Sequence, residues 1–559
     1  MNRIKSLSTR IKILLIAAIV GATSFFSLSF TDSYFEISKN MEIFAKLFQE
    51  LNIYYVDETK PGELIKTGID AMLRSLDPYT VYYPEEKIED FKFLTTGQYG
   101  GIGSLIRKKD DYVMIAEPYE GFPAQKAGLR AGDVVLEVDG QDVKGKTTSE
   151  MSGILKGQAK SELVMKIKRP FEDEIITKTL TREDIKIEDV PYHGILDEGV
   201  GYLRLSSFTQ TASGAVRKAI VDLKKEGMTS LVFDLRGNGG GLLREAVEIV
   251  NLFVPKGVEV VSTKGKLKNW DRSYKTSKEP LDMNMPVCIL IDEGSASASE
   301  IVAGALQDLD RAVIIGQKSF GKGLVQQTLT LSYNTRLKVT VSKYYIPSGR
   351  CIQKIDYTHK ENGKAQEIPD SLAAEFATKR GRVVYDAGGI YPDIKTGIPT
   401  YSNIAQDLSQ EDLIFDFATE YRSKNDSLEK PESFRIDDEL YAQFESFLEG
   451  KDLDYKTESE ELLDKLAEAS KKEKYFENIQ TEYQSITNRI AESKGQDLVK
   501  HKAEIVEILT NELVSRYYYQ KGRIISSLST DDEIIEAKKV LKDRSLYDSI
   551  LDGSFAKKD

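Results

Sequence analysis

The chain has 559 residues, of which 40% are hydrophobic and 30% are charged, and its formal net charge is −12. This length predicts several globular domains, each with its own core, rather than one. The negative charge argues against a nucleic-acid-binding protein, because a surface that follows phosphates needs clustered Lys and Arg, and no such cluster occurs outside the N-terminus.

The N-terminus has the layout of an export signal. Residues 1–12 carry four basic side chains and no acidic one, and residues 13–30 form an uncharged apolar run. The run suits a cleaved signal peptide or a retained membrane tether, and both alternatives stay open beside a buried N-terminal helix. We therefore expect an exported protein, periplasmic or attached to the periplasmic face of the inner membrane.

Residues 31–95 predict a helical region. Ile43, Leu47 and Leu51 recur at helical spacing, and Pro61 is placed to begin a second helix.

Residues 96–184 change to short β-branched runs punctuated by glycine. "YGGIGSLI", "PAQKAGLRAGDVVLEVDG" and a short helix near Thr148–Leu155 together resemble a PDZ domain, in the circularly arranged form of bacterial proteases. In such a turn, consecutive backbone N–H groups can bind a terminal carboxylate, and the next strand can pair with an extended peptide. The expected substrate-binding residues are Gly100, Gly101, Ile102, Gly103 and Leu105, with Ile102 and Leu105 forming an apolar pocket. By itself, "GGIG" is weak evidence and is more often a plain turn.

Residues 185–398 alternate strands and helices, which predicts an α/β domain. Apolar runs such as "LVFDL" and "VCILI" are continuous, as expected for strands that are covered on both faces. A polar stretch at about 354–382 reads as an insertion. Residues 399–559 are charge-rich and predict a mainly helical C-terminal extension of unknown role.

Three serines, Ser295, Ser297 and Ser299, alternate with alanine in "DEGSASASEIVAGALQD", at a strand-to-helix junction. A hydroxyl at a helix N-terminus lies where unpaired N–H groups favour developing negative charge. Ser297 and Glu300 also fit a capping box, which is a structural device alone. A second strand ends in glycines at "FDLRGNGGG", and its free N–H groups can supply donors to the same place or form a mere turn.

The chain offers no obvious histidine base. His193, His359 and His501 stand in unrelated contexts, so a Ser-His-Asp arrangement is unsupported. A lysine kept neutral by burial is the alternative base. "QKSFGKGLVQQ" provides Lys322 between two glycines and beside apolar residues, with Gln326 placed to orient its amine, although "GKG" alone is more often a solvated turn.

These motifs, in this order, closely resemble the carboxyl-terminal processing peptidases, the tail-specific serine proteases of peptidase family S41. The resemblance covers roughly residues 41–395 and implies a crotonase-like α/β core with an inserted PDZ domain. Carried over position by position, it implies Ser297 as nucleophile, Lys322 as general base, Gln326 as its partner, and the backbone of Ala298 and of Gly239 or Gly240 as oxyanion donors.

The resemblance implies a protease that cleaves proteins near C-termini captured by the PDZ domain. Whether that domain activates or gates the site stays open. No cofactor and no metal site are expected, and Cys288 and Cys351 form no ligand motif. Expected partners are protein or peptide substrates, an adaptor protein, a second copy of the chain in a homo-oligomer, and a membrane through residues 13–30. The alternative is an inactive PDZ-bearing scaffold, but such a relative would have lost Ser297 or Lys322.

Overall fold

The computed structural model describes residues 34–555, except residues 198, 399, 452 and 454. The chain divides into two compact units, Met1–Tyr82 and Tyr83–Asp559. The predicted export segment, residues 13–30, lies outside the described residues. Within the described ranges, none of the helices combines the length and apolar character needed to span a bilayer.

Over its described residues, 34–82, the first unit contains two α-helices, as the sequence predicted. Helix α1 covers residues 34–54, and α2 is Pro61–Arg74. Pro61 occupies the first turn of α2, where its fixed φ suits the helix and its missing N–H is not needed. The three apolar positions that predicted α1 are exposed on its surface: Ile43, Leu47 and Leu51. Strand β1 (Val81–Tyr83) lies at the boundary between the units.

The PDZ-like region of the second unit is an antiparallel sheet in the order β3-β4-β5-β7-β8, with β6 on β5, and β2 pairs separately with β9. Its strands are β2 (Gln98–Gly101), β3 (Ser104–Lys109), β4 (Tyr112–Pro118), β5 (Val134–Val138), β6 (Gln141–Asp142), β7 (Glu162–Lys168), β8 (Ile175–Thr181) and β9 (Glu183–Lys186). Its helices are α3 (Ile88–Thr96), α4 (Pro123–Lys126) and α5 (Thr148–Leu155). The predicted helix at 148–155 is confirmed, and it begins at a capping box formed by Thr147 and Glu150.

The central sheet has the order β10-β11-β12-β15-β16-β23. Its strands are β10 (Tyr192–Ile195), β11 (Val200–Arg204), β12 (Ser230–Asp234), β15 (Val287–Ile291), β16 (Val313–Gly316) and β23 (Ile394–Lys395). All pairs except β10 with β11 are parallel. Every residue of β12, β15 and β16 is buried, which confirms that the continuous apolar runs are strands covered on both faces.

One face of the central sheet packs against three helices, α6 (Ala212–Lys225), α7 (Leu243–Val250) and α8 (Ala298–Asp308). An antiparallel sheet formed by β13 (Glu259–Gly265), β14 (Arg272–Lys275), β17 (Leu324–Thr330) and β18 (Arg336–Tyr345) also belongs to this domain. The predicted polar insertion folds as two hairpins, β19 (Ile355–Glu361) with β20 (Lys364–Glu367) and β21 (Glu375–Ala377) with β22 (Val383–Tyr385).

The C-terminal extension is helical, as predicted. Its helices are α9 (Asn403–Gln410), α10 (Leu413–Lys424), α11 (Asp438–Leu448), α12 (Glu458–Glu473), α13 (Phe476–Lys494), α14 (Asp497–Lys500), α15 (Lys502–Ser527), α16 (Asp532–Lys542) and α17 (Arg544–Leu551). Helices α9–α11 and α15 share a core of their own, whereas α16 and α17 cover the second face of the central sheet.

The extension also contacts the PDZ-like region through charged side chains. Arg107 and Lys109 of β3 form ion pairs of 2.7 and 2.6 Å with Asp412 and Asp416. The Arg107 guanidinium also lies 3.7 Å from the ring centroid of Phe415. These contacts hold β3, the strand that the sequence predicts to pair with a peptide, against the helical extension.

A fully buried ion pair joins the end of α8 to the segment after β18. The side chains of Arg350 and Asp308 are both 0% exposed, and their closest N···O distance is 2.9 Å. Arg350 also donates to the Gln307 side chain at 2.7 Å and to the Tyr385 carbonyl at 3.0 Å.

We expect Asp308→Ala to lower the free energy of unfolding by about 3–5 kcal/mol, because it leaves the buried Arg350 guanidinium without its counter-charge. Guanidinium chloride unfolding followed by circular dichroism measures the change. Asp370→Ala is the control, since the Asp370 side chain is 74% exposed in its pair with Lys318, and a change below about 1 kcal/mol is expected. Equal effects of the two substitutions would contradict the prediction.

Candidate active site

Two turns meet at one edge of the central sheet, because β12 and β15 are parallel neighbours and their carboxyl ends lie side by side. The turn after β15 is hydrogen-bonded to the turn after β12. Ser295 Oγ donates to the Leu235 carbonyl at 2.9 Å, and Ser299 Oγ donates to the Asn238 carbonyl at 2.8 Å. The Ala296 N–H donates to the same Asn238 carbonyl at 3.0 Å.

The three serines therefore differ in environment. Ser295 and Ser299 are 0% exposed, and their hydroxyls are hydrogen-bonded to backbone carbonyls. Ser297 is half-buried and lines a cavity of about 430 Å³. Its backbone has φ 57° and ψ −110°, a conformation that a non-glycine residue adopts only where its surroundings impose it. Of the three, Ser297 is the one positioned to meet a ligand.

Glu300 connects the Ser297 turn to the turn before β17. Its side chain is fully buried and accepts hydrogen bonds from Ser297 N–H at 2.8 Å, Lys322 N–H at 2.9 Å, Gly321 N–H at 2.7 Å and Ser319 Oγ at 2.6 Å. Burial raises the pKa of the Glu300 carboxyl, and these four hydrogen bonds oppose the increase. The sequence indicated Glu300 only as a capping residue. Its contacts with a turn that lies about 20 positions later gave no local signal.

The cavity brings together the predicted Ser297, Lys322 and Gln326 with Gly239 and Gly240. Its apolar lining is formed by Phe91, Phe93, Ile187, Leu242, Leu243, Ile301, Leu324, Val325 and Tyr344. Thr328 and Lys338 also line it. Among the described residues that line the cavity, two are lysines and none carries a carboxylate.

Lys322 lies in a turn that requires glycine on both sides. Gly321 has φ +86°, and a Cβ there would lie 2.5 Å from the Lys354 Cβ. A Cβ on Gly323 would lie 2.9 Å from the Gln353 backbone nitrogen. The half-buried Lys322 side chain is thus placed by a tightly packed turn, which settles the earlier alternative of a loosely solvated one.

Gln326 is held by the neighbouring strand. It pairs with Thr340 across β17 and β18, next to a bulge between Val325 and Gln326. Its side-chain nitrogen donates to Thr340 Oγ1 at 3.2 Å. Strand pairing rather than a helical turn therefore sets the position of Gln326 relative to Lys322.

The two candidate oxyanion glycines also differ. The Gly240 N–H donates to Asn238 Oδ1 at 2.9 Å, whereas the Gly239 N–H has no acceptor among the described residues. Gly240 approaches the Ser297 turn closely, since a Cβ there would lie 2.6 Å from the Ala296 carbonyl oxygen and 2.8 Å from the Ala298 nitrogen. Ala298 is the first residue of α8, where a backbone N–H has no acceptor within the helix.

The histidines do not take part in the site. Over the described part of the chain, no histidine lines the cavity, and no group of three or more His, Cys, Asp or Glu side chains is placed to hold a metal ion. His359 is exposed and contacts Asp356 in the insertion.

The glycine turn of the PDZ-like region lies outside the cavity. Gly100 and Gly101 belong to β2 and pair with Asp184 and Glu183 of β9. Gly103 has φ +71°. The carbonyls of Ile102 and Gly103 accept from Ala124 and Tyr119, and neither of their own N–H groups has an acceptor in the described ranges.

The side chains of Ile102 and Leu105 do not share a pocket, in contrast to the sequence prediction. Ile102 is 3% exposed and packs in the core of the PDZ-like region, whereas Leu105 is 49% exposed. Leu105 instead lines a cavity of about 540 Å³ together with Tyr119 and Phe122, and with Tyr519 and Arg523 of α15. Ile102 can therefore meet a peptide only through its backbone.

Three family models match the chain. Peptidase family S41 matches residues 199–360, a PDZ domain matches residues 114–169, and the C-terminal helical domain described for a PDZ-protease matches residues 404–541. Each match lies within one of the predicted domains. The exact domain bounds and the crotonase-like character of the core stay predictions.

Two curated relatives are similar over more than 300 residues. A carboxy-terminal-processing protease of Bartonella bacilliformis is 37% identical over 324 residues, which are 57% of this chain and 74% of the relative. A CtpA-like serine protease of Staphylococcus aureus is 36% identical over 317 residues, 56% of this chain and 62% of the relative. A solved photosystem II D1 C-terminal processing protease is 28% identical, covers 63% of this chain and 92% of its own, and has a TM-score of 0.34.

The Glu300 contacts generate a test. In Glu300→Gln, an amide NH₂ replaces one carboxylate oxygen and faces at least one N–H group that previously donated to it, that of Gly321 at Oε1 or those of Ser297 and Lys322 at Oε2, at a cost of about 1–3 kcal/mol per unsatisfied group. We expect peptide cleavage to fall about tenfold or more while the circular dichroism spectrum is retained.

Glu245→Gln is the matched control for a buried glutamate. Glu245 is 9% exposed, lies in α7 and accepts from the Ser213 N–H at 2.9 Å. Because its hydrogen bond joins α7 to the start of α6 and not the Ser297 turn to the Lys322 turn, its variant should retain the original rate. Full activity of Glu300→Gln would show that the link between the two turns is not needed.

Proposed function

The chain belongs to peptidase family S41, the serine proteases that include the carboxy-terminal-processing enzymes, and from this premise we propose that it hydrolyses peptide bonds with a Ser297–Lys322–Gln326 unit. The observation that carries the proposal is the single cavity lined by these three side chains. They come from three separate segments, the start of α8, the turn before β17, and β17 itself.

In this mechanism, the Ser297 hydroxyl oxygen attacks the scissile carbonyl carbon, and the neutral Lys322 amine accepts the hydroxyl proton. The resulting ammonium then donates a proton to the leaving amine, so that the peptide C–N bond breaks and an acyl-enzyme remains. A water molecule attacks this ester, with Lys322 again as base, and releases the second product. Gln326, held by Thr340, orients the lysine amine.

The oxyanion formed at each step needs two backbone donors. We assign these to the N–H groups of Ala298 and Gly239. The Gly239 N–H is the better candidate of the two glycines, because the Gly240 N–H already donates to Asn238. Gly240 contributes instead by letting the two turns approach each other closely.

The PDZ-like region is proposed to bind the C-terminus of the substrate. The N–H groups of Ile102 and Gly103, which have no acceptor among the described residues, are suited to a carboxylate. Leu105, Tyr119 and Phe122 provide apolar surface beside them for the last side chain. This geometry supports cleavage near the captured C-terminus, as the sequence led us to expect.

We expect Ser297→Ala and Lys322→Ala each to abolish cleavage of an unfolded protein substrate, because members of one catalytic unit fail individually. Gln326→Ala should reduce kcat by a smaller factor, since it removes only the group that orients the base. Ser295→Ala and Ser299→Ala are the controls. Their hydroxyls hold the two turns together, so they should reduce stability by about 1–3 kcal/mol and retain measurable cleavage. Cleavage by Ser297→Ala at the original rate would contradict the assignment of Ser297 as the nucleophile.

The assignment of Leu105 predicts a preference for the last residue of the substrate. A peptide that ends in an apolar residue should be cleaved with a kcat/KM higher than one that ends in Asp, by the equivalent of about 1–3 kcal/mol. Leu105→Ser should lose part of this preference, whereas Val164→Ser, an exposed side chain on β7 of the same region, should keep it. An unchanged preference in Leu105→Ser would exclude this pocket.

A further inference from the structure

A second lysine, Lys338, lies in the catalytic cavity and has no role in the mechanism above. It belongs to β18, where it pairs with Thr328 of β17. This pair lies two residues along the two strands from the Gln326–Thr340 pair, so both pairs are on the same face of the β17–β18 hairpin. Gln326, Thr328 and Lys338 all line the cavity. The hairpin thus presents both the Gln326–Thr340 pair and the Thr328–Lys338 pair on the face that lines the cavity.

The charges around Lys338 are one-sided. Among the described residues that line the cavity, the charged ones are Lys322 and Lys338, and no ion pair joins Lys338 to an acidic side chain of the described chain. Burial lowers the pKa of Lys338, and no carboxylate counteracts the decrease. A half-buried ammonium without a counter-charge is costly, and a ligand that brings a carboxylate would relieve that cost.

The distance between the Gln326–Thr340 and Thr328–Lys338 pairs matches the residue spacing of an extended peptide. Two residues along a strand span about 7 Å, so Lys338 lies about two residues of an extended chain away from the Gln326–Thr340 pair. A peptide that runs along the hairpin would therefore bring a group two or three residues from the cleaved bond within reach of the Lys338 amine.

We infer that Lys338 is a specificity-determining residue that binds a carboxylate of the substrate close to the cleaved bond. The carboxylate is the C-terminus of a short tail or the side chain of an Asp or Glu in that position. This inference rests on the proposed function, since it places the substrate in the cavity of Ser297. Lys338 is then a second point at which the protein detects negative charge, in addition to the PDZ-like turn.

The test compares Lys338→Met with the unchanged chain on matched peptides. One pair has the same sequence with a free C-terminal carboxylate or an amide, two or three residues after the cleaved bond. A second set is amidated and carries Asp or Asn at successive positions on both sides of that bond. Because Lys338→Met leaves the PDZ-like region intact, the contribution of that region cancels in the ratio of the two proteins' preferences.

We expect the unchanged chain to prefer the carboxylate-bearing member of at least one pair by about tenfold or more in kcat/KM, as for a charge-assisted hydrogen bond. In Lys338→Met the part of this preference that Lys338 supplies should be lost through a higher KM, so that the ratio of the two proteins' preferences is about tenfold or more, with kcat on the neutral peptide retained. An effect in the pair with a free or amidated C-terminus identifies a terminal carboxylate as the ligand of Lys338. An effect in the Asp/Asn set identifies an acidic side chain and its position. Lys338→Arg should keep part of the preference.

Lys343→Met is the matched control, because Lys343 lies on the same strand with its side chain exposed and outside the cavity. It should leave all ratios unchanged. Equal preferences in Lys338→Met and the unchanged chain, or a uniform fall of kcat on every peptide, would overturn the inference. If Lys338→Met unfolds at lower temperature, Lys338→Gln provides the same comparison with a polar side chain.

Peptide binding to the Ser297→Ala form separates this inference from the proposed function. Fluorescence anisotropy with the same peptides reports the contribution of Lys338 without any turnover. Loss of carboxylate preference in the Ser297→Ala, Lys338→Met double variant supports the inference even if another residue proves to be the nucleophile. Undiminished cleavage by Ser297→Ala would instead remove the proposed mechanism alone.

Discussion

The geometry of the cavity depends on the buried carboxylate of Glu300. Its two oxygens accept four hydrogen bonds from the Ser297 turn and from the segment Ser319–Lys322. Both segments are irregular backbone, which has no helix or sheet partner to fix it. A single side chain therefore supplies the acceptors that secondary structure would otherwise supply, and it links the turn of Ser297, the proposed nucleophile, to the turn of Lys322, the proposed base. The left-handed conformation of Ser297 persists because this network over-determines it.

The charge distribution of the cavity follows from what surrounds it. Among the described residues, the acid that contacts both the Ser297 turn and the Lys322 turn is Glu300, and four donors occupy its two oxygens. The described lining residues then leave a cavity with two lysines and otherwise neutral or apolar groups. Such a surface disfavours a cationic ligand, and it favours a peptide that is apolar near the cleaved bond and carries a negative charge a short distance away.

The C-terminal extension is a structural part of the protease domain. Alternate residues of β12, β15 and β16 point to the side of the sheet covered by α16 and α17, where Val232, Cys288 and Leu290 pack against Ala537 and Val540. The start of α16 approaches the glycine turn of the site, because Arg236 in that turn pairs with Asp531 at 2.8 Å and also with Glu533. Since Asp412 and Asp416, at the start of α10, form ion pairs with β3 of the PDZ-like region, one helical extension contacts both the PDZ-like region and the glycine turn that meets the Ser297 turn.

The sequence alone determined what depends on local order and periodicity: the helix at Pro61, the helix at 148–155, the buried parallel strands, and the motifs that carry Ser297, Lys322 and Gln326. Only the tertiary structure decided which of the three serines faces the cavity, which glycine N–H has no acceptor among the described residues, and that Ile102 points into a core. It also assigned Glu300, Lys338 and the C-terminal helices to the site or its support. Each of these depends on contacts between residues that are distant in the chain, and side-chain direction across a turn is set by such packing rather than by neighbouring residues.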